Sequence, residues 1–185
     1  MEKSKMFSLM ALNRLTRTMV KDELYLDSLT FIHMVLMALT PMMQKKKAAK
    51  LDETHSRGGV TGICPTTITQ IEEVLTKAVK NVAKVVADGY EGAEILGIHF
   101  EGPYLDMVYK GAQPEQCIVK PDVEQFKRYQ KAADGLIKII TMATERDEDF
   151  ELTRYCAAND VRVSIGHSAA TIEEAGMAIA TEQLP

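Results

Sequence analysis

From Gly58 onward the chain alternates short apolar runs with amphipathic segments, and this alternation restricts the fold more than any other feature. Residues 59–64 (GVTGIC) read as a buried strand that stops at Pro65. Thr69 is placed to cap a helix over 70–88, where Ile71, Val74, Leu75, Ala78, Val79, Val82, Val85 and Val86 recur at i, i+3, i+4 and i+7 spacing. Gly89 and Gly92 end that helix. Residues 94–100 (EILGIHF) form a second strand, and a loop rich in turn residues runs from there through Gly111 and Pro114. A second amphipathic helix follows over 122–133 and a third strand over 136–142 (LIKIITM). Residues 148–159 are helical, 161–165 are a fourth strand and 172–180 a fourth helix. Four βα units in a row predict an α/β fold: a parallel sheet or barrel with its helices outside. A complete (βα)8 barrel of the TIM type takes about 250 residues, so the segment 59–185 corresponds to a partial barrel, about half present. Such a piece exposes strand edges and apolar faces, which predicts low solubility or association.

The front of the chain is different in kind. Residues 1–50 hold nine Lys/Arg against four Asp/Glu, although the whole chain carries a net charge of −4, and eight of the eleven methionines fall within residues 1–43. The division expected is an atypical segment over 1–57 and the barrel segment over 58–185. The net negative charge argues against nucleic acid as a partner. The apolar stretch 34–39 is far short of the roughly 20 residues a bilayer requires, which argues against a membrane partner, and residues 1–10 lack a secretory cleavage pattern. Cys64, Cys117 and Cys156 are odd in number and scattered, which fits reduced thiols in a cytoplasmic protein. Cys64 reads as a small buried residue rather than a nucleophile, because nothing near it in sequence would depress its pKa.

Two polar residues sit just past strand ends, where both barrels and doubly wound sheets place their chemistry. Glu101 follows the second strand and is itself followed by Gly102-Pro103, a turn that would aim a carboxylate at the barrel mouth. His167, in SIGHSAAT, follows the fourth strand. A Glu and a His converging from different strands can give two ligands to a catalytic zinc, which usually keeps three protein ligands and one open position. On these residues alone a second reading stands beside it: a hydrogen-bonded structural histidine and a solvated glutamate. His99, two residues before Glu101 on the same side of the strand, is either a supporting partner or a packed histidine inside the barrel. No GxGxxG or P-loop cradle supports a doubly wound nucleotide-binding domain.

The blocks GVTGICPTT, GIHFEGPYL with KGAQP, and SIGHSAAT occur in this order over about residues 58–181. Together they resemble the signature blocks of the N-acetylglucosamine-6-phosphate deacetylases of the metal-dependent amidohydrolase superfamily. The resemblance implies Glu101 and His167 as metal ligands, and Ala112 and Gln113 on the loop that meets the sugar. Many members have His at the position of Gln113, and Thr144 stands where Pro is common. It implies a divalent metal, zinc first with iron or manganese as alternatives, since all three accept Glu/His sites. It further implies an amino-sugar phosphate as substrate, a homodimer for the intact protein, and an acid–base Asp and a further metal His beyond Pro185, so that no catalytic residue is assigned within the chain. Other amidohydrolases, of the dihydroorotase or adenine deaminase kind, are the alternative enzyme reading, and a non-catalytic fragment the alternative outside enzymes.

The same resemblance leads one to expect a PG-x-ID-x-H-x-HG block at the front, which is absent. Around His33-Met34-Val35 the codons read two bases on give His or Tyr and then a forced Gly, and the whole stretch 25–44 is compatible with the missing block. This predicts that residues before about Gly58 are translated out of frame. The alternative is a divergent segment with a short apolar helix over 34–43. On the first reading His33 is not a ligand, and His55 and the lysines at 45–47 are solvated.

Overall fold

The computed structural model describes residues 61–182. The segment 1–57, with His33, His55 and the lysines at 45–47, lies outside the described residues, as does the start of the first expected strand.

Strand β1 (Gly62–Ile63) leads into α1 (Glu72–Asp88), then come β2 (Glu94–Ile95) and β3 (Ile98–Glu101). After a long loop follow α2 (Val123–Ala132), β4 (Ile137–Met142), α3 (Glu151–Ala158), β5 (Arg162–Ile165) and α4 (Ile172–Glu182). All strand pairs are parallel: β1 with β2, and β3-β4-β5 in that order. A Thr66–His99 bridge ties the chain after β1 to β3, so the two ladders continue one another. Successive strands are therefore spatial neighbours with helices between them, which is the α/β arrangement expected from the alternation of periods. Among the described residues no helix is long and apolar enough to cross a membrane.

The single strand expected over 94–100 is broken. Gly97 has φ 156, and a Cβ there would lie 2.6 Å from Lys138 Cγ. The register slips between Ile98 and His99 at the same place. That break sets which side chains of β3 point inward: Ile98 and Phe100 are fully buried, and His99 and Glu101 face the other way. Phe100 packs against Tyr129, the rings tilted and 4.9 Å apart, and meets Phe126 edge-on at 6.1 Å, joining the sheet to α2. Ile140 and Met142 of β4, Leu152 and Cys156 of α3 and Leu75 and Val79 of α1 complete this core. Each such side chain contributes about 1.5–3 kcal/mol on burial, so the layer of helices is held by area rather than by surface charge.

Helix boundaries differ from those expected for local reasons. Helix α1 starts at Glu72 with Ile71 before it and no side-chain cap, so Thr69 does not cap it. The Thr69 N–H instead donates to Gln113 Oε1 at 2.8 Å. The helix expected over 148–159 divides, because Asp149 (φ 50) and Phe150 (φ 55) are left-handed and separate a 3-10 turn, Glu148–Phe150, from α3. The buried Asp147 carboxylate takes over the start of α3, accepting from Leu152 N, Thr153 N and Thr153 Oγ1 at 3.1, 2.8 and 2.8 Å.

Candidate functional site

Glu101 is the last residue of β3 and His167 the second after β5, so β4 lies between the strands that deliver them. Their side chains nevertheless meet: His167 Nε2 is 3.1 Å from Glu101 Oε1. The backbone of Glu101 is fixed from both sides, its N–H donating to Thr67 Oγ1 at 3.0 Å and the next N–H, of Gly102, to Thr141 O at 3.2 Å. Gly102 has φ 73, and a Cβ would fall 2.0 Å from Thr69 Oγ1, so only glycine fits this turn. The Gly102–Pro103 peptide is cis.

The loop that follows packs down through Tyr104 and Leu105, both fully buried. Ala143 N–H donates to Tyr104 O, and Tyr104 Oη–H to Gln125 Oε1. Asp106 Oδ1 accepts from Val108 and Tyr109 N–H, curling the loop tip. The tip then runs along His167: Asp106 N–H donates to His167 O at 2.8 Å, and His167 Nδ1–H donates to Tyr109 O at 2.9 Å. A carbonyl can only accept, so Nδ1 carries the hydrogen and Nε2 faces the carboxylate. Supporting a ring through Nδ1–H···O=C is how metal-ligating histidines are commonly held. His167 itself has φ 50, a left-handed conformation that histidine adopts more readily than most residues.

Nε2 and a carboxylate oxygen at this separation repel unless a proton or a cation lies between them. The protonated state accounts for the electrostatics: the hydrogen bond to Glu101 raises the His167 pKa above its ordinary value. Burial alone would raise Glu101, but the His167 hydrogen bond, the nearby imidazoles and Gln113 carry it below the usual carboxylate range. A metal fits equally well. Zinc holds N and O donors at about 2.0–2.2 Å, which puts two tetrahedral donors roughly 3.3 Å apart, close to the 3.1 Å found here. The described residues form no group of three or more His, Cys, Asp or Glu able to hold a metal ion, so among them Glu101 and His167 are the two donors that meet there.

The loop residues expected to meet a sugar divide. Ala112 is exposed at the mouth. Gln113 is buried, donating from Nε2 to Glu101 Oε1 at 2.8 Å while Oε1 accepts from Thr69 N–H. Its amide is thus committed to the carboxylate. His99 is a packed histidine, bonded through Nδ1 to Thr66 Oγ1 at 3.2 Å and through Nε2 to Thr141 Oγ1 at 2.7 Å. Thr66 Oγ1 donates its hydrogen to Cys64 O, so His99 Nδ1–H must donate to it, and Nε2 accepts from Thr141. Burial lowers the pKa of His99, the Glu101 charge opposing the shift. Cys64 is buried, which raises its thiol. The supporting contacts of Thr67, Thr141 and the Tyr109 carbonyl were not legible from residue types, because a backbone acceptor or a core threonine leaves no motif.

No protein-family profile matches the chain. An N-acetylglucosamine-6-phosphate deacetylase of Bacillus subtilis is 43% identical over 113 residues, which cover 60% of this chain and 28% of that protein. The Vibrio furnissii enzyme of the same name is 35% identical over 122 residues, 66% of this chain and 31% of that protein. An N-acetylgalactosamine-6-phosphate deacetylase of Escherichia coli O157:H7 is 30% identical over 125 residues. The chain thus spans about a third of the length of these curated relatives. Among solved structures, the Mycobacterium smegmatis N-acetyl-D-glucosamine-6-phosphate deacetylase superposes with a TM-score of 0.69 at 28% identity, over 75% of this chain and 35% of that one. That from Pasteurella multocida gives 0.64 at 30% identity, over 76% and 36%. Over the part that aligns, the chain is similar to the N-acetylglucosamine-6-phosphate deacetylases in both sequence and fold.

Proposed function

We propose that the described domain is part of a (βα)8 barrel that hydrolyses the acetamide of N-acetylglucosamine 6-phosphate to glucosamine 6-phosphate and acetate. The observation that carries this reading is the Glu101–His167 pair: 3.1 Å between Oε1 and Nε2, with Nδ1 already engaged by Tyr109 O. Glu101 and His167 would hold a divalent metal, with zinc the first choice for an N/O donor pair and iron or manganese the alternatives. When bound, that metal supplies Lewis-acid polarisation of a carbonyl and a water of lowered pKa. The protein's share is orientation: Thr67, Thr141 and Gln113 fix Glu101, and Tyr109 fixes the imidazole. The segment Ala112–Gln113 borders the sugar, Ala112 at the exposed mouth and Gln113 through the carboxylate it holds.

The working form we propose is a homodimer acting in the cytoplasm on a small-molecule amino-sugar phosphate, without nucleic acid or membrane. Residues 1–57 belong to a shifted reading frame, which resequencing the encoding DNA upstream of Gly58 would test. The deciding assay is acetate release by a version extended to the length of its relatives. It should favour N-acetylglucosamine 6-phosphate over the galacto epimer, and Glu101→Gln should remove the activity. A preference for cyclic amides or purines would transfer the chain to a dihydroorotase-like or adenine deaminase-like reading. The 43% identity to the Bacillus subtilis gluco enzyme, against 30% to the galacto one, supports this order of the two epimers.

A further inference from the structure

Beyond the ligands and the groups that touch them, one carboxylate on a neighbouring loop is spent entirely on the segment that carries His167. Glu145 lies in the 3-10 turn Thr144–Arg146 after β4, and that turn packs against α4. Its Oε2 accepts from Ser168 Oγ–H at 2.7 Å and its Oε1 from Ala169 N–H at 2.7 Å. Ser168 Oγ in turn accepts from Ala170 N–H at 3.0 Å. The next residue closes the series: Thr171 and Glu174 cap α4 reciprocally, Thr171 N–H donating to Glu174 Oε2 at 2.8 Å and Glu174 N–H to Thr171 Oγ1 at 3.2 Å. Every backbone N–H from 169 to 171 is therefore held, while His167 just before them sits in the left-handed region at φ 50. A non-glycine residue keeps such a conformation only where its surroundings over-determine it. The Asp106 N–H on the His167 carbonyl restrains one side of the turn. The other side depends on Ser168 and Ala169, and both of these depend on Glu145.

We propose that Glu145 is a positioning residue for the metal site: by gripping Ser168 and Ala169 it imposes the left-handed turn that aims His167 Nε2 at Glu101. Glu145 touches neither the metal nor the sugar, and acts through the loop. The inference rests on Glu101 and His167 being the metal ligands.

Three variants of the full chain test it, with two readouts. Glu145→Ala removes both acceptors, Glu145→Gln keeps an acceptor for Ala169 N–H and a donor for Ser168 Oγ, and Ser168→Ala removes one arm without touching the carboxylate. Zinc affinity, measured by calorimetric titration with Zn2+ alone, should fall about 10–100-fold in Glu145→Ala, the usual effect of losing an outer support, with Glu145→Gln close to the parent. Hydrogen exchange read by mass spectrometry should quicken in the peptide over 166–171 and stay unchanged in β3 and β4. If Glu145→Ala does not fold, Ser168→Ala carries the test with a smaller change in the same two readouts. Unchanged affinity and unchanged exchange in a folded variant overturn the proposal. So does a loss spread over the whole molecule that Glu145→Gln fails to rescue. A parent chain that binds no zinc defeats the ligand assignment instead, and the exchange measurement still decides whether Glu145 holds the turn.

Discussion

Gln113 ties the Glu101 carboxylate to the segment between β1 and α1 in one side chain. Its amide nitrogen gives a hydrogen to Glu101 Oε1, its oxygen takes one from Thr69 N–H, and it is 6% exposed. Alanine there would strand the buried Thr69 N–H and release the carboxylate, at a cost of about 1–3 kcal/mol for the unpaired donor. With Glu101 in its proposed role as a ligand, zinc affinity should drop about tenfold or more, since the support of that ligand is lost with the side chain. Chemical denaturation and zinc titration of Gln113→Ala measure the two effects separately. A variant with parental stability and affinity would return Gln113 to the sugar alone. The candidate pair was legible in the sequence, because Glu101 ends a strand and His167 follows one closely, each at the start of a turn. The commitment of Gln113 was not: twelve residues separate it from Glu101, and only the packed loop brings the amide underneath the carboxylate. The Tyr109 contact was still less visible, because a main-chain carbonyl does the work whatever the side chain.

At the level of elements, order and type followed from periodicity, and the ends followed from contacts that periodicity does not encode. The apolar stripe of α1 was readable, with Leu75, Ala78, Val79, Val82 and Val85 all buried as spaced. Its start was not, because Thr69 spends its N–H on Gln113 rather than its hydroxyl on the helix. The start of α2 was nearly right: Asp122 is its cap, accepting from Gln125 N–H at 2.7 Å. Asp147 shows how strongly one residue can define an end. Its buried carboxylate satisfies three donors at the start of α3 after a left-handed kink that no amphipathic pattern announces. Asp147→Ala should destabilise the fold by about 2 kcal/mol, the upper range for a helix cap, because two helix N–H groups lose their acceptor away from water. Glu124→Ala is the comparison, since its pairing with Lys127 is exposed and screened, and its unfolding midpoint should match the parent. Equal midpoints for both variants would mean that water replaces the Asp147 carboxylate and that the kink alone sets the end of α3.

Across the whole molecule, the order β3-β4-β5 would make a metal held as proposed by Glu101 and His167 a cross-link. Glu101 and His167 leave strands that are not neighbours, so a cation between them ties together loops the ladder of hydrogen bonds does not join. Anything that binds the folded chain and not the unfolded one stabilises by RT ln(1 + [L]/Kd), about 2.7 kcal/mol at a hundredfold excess over Kd. For a domain of this size that corresponds to a rise in Tm of roughly 10 °C. Zinc at that excess should raise the Tm of the parent chain by this amount, and Glu101→Gln, which keeps the shape but loses the anionic donor, should abolish most of the rise. The sign is informative because the unfolded chain is itself a zinc ligand, with three cysteines and four histidines. If those side chains bound zinc better than the folded pair does, the metal would lower the Tm, and Glu101→Gln would lower it further. A rise that survives Glu101→Gln would place the stabilising ion elsewhere and separate the site from the fold. A rise that disappears with the carboxylate makes the strand ends, the loop over 102–113 and the turn at His167 one mechanical unit held shut by the ion.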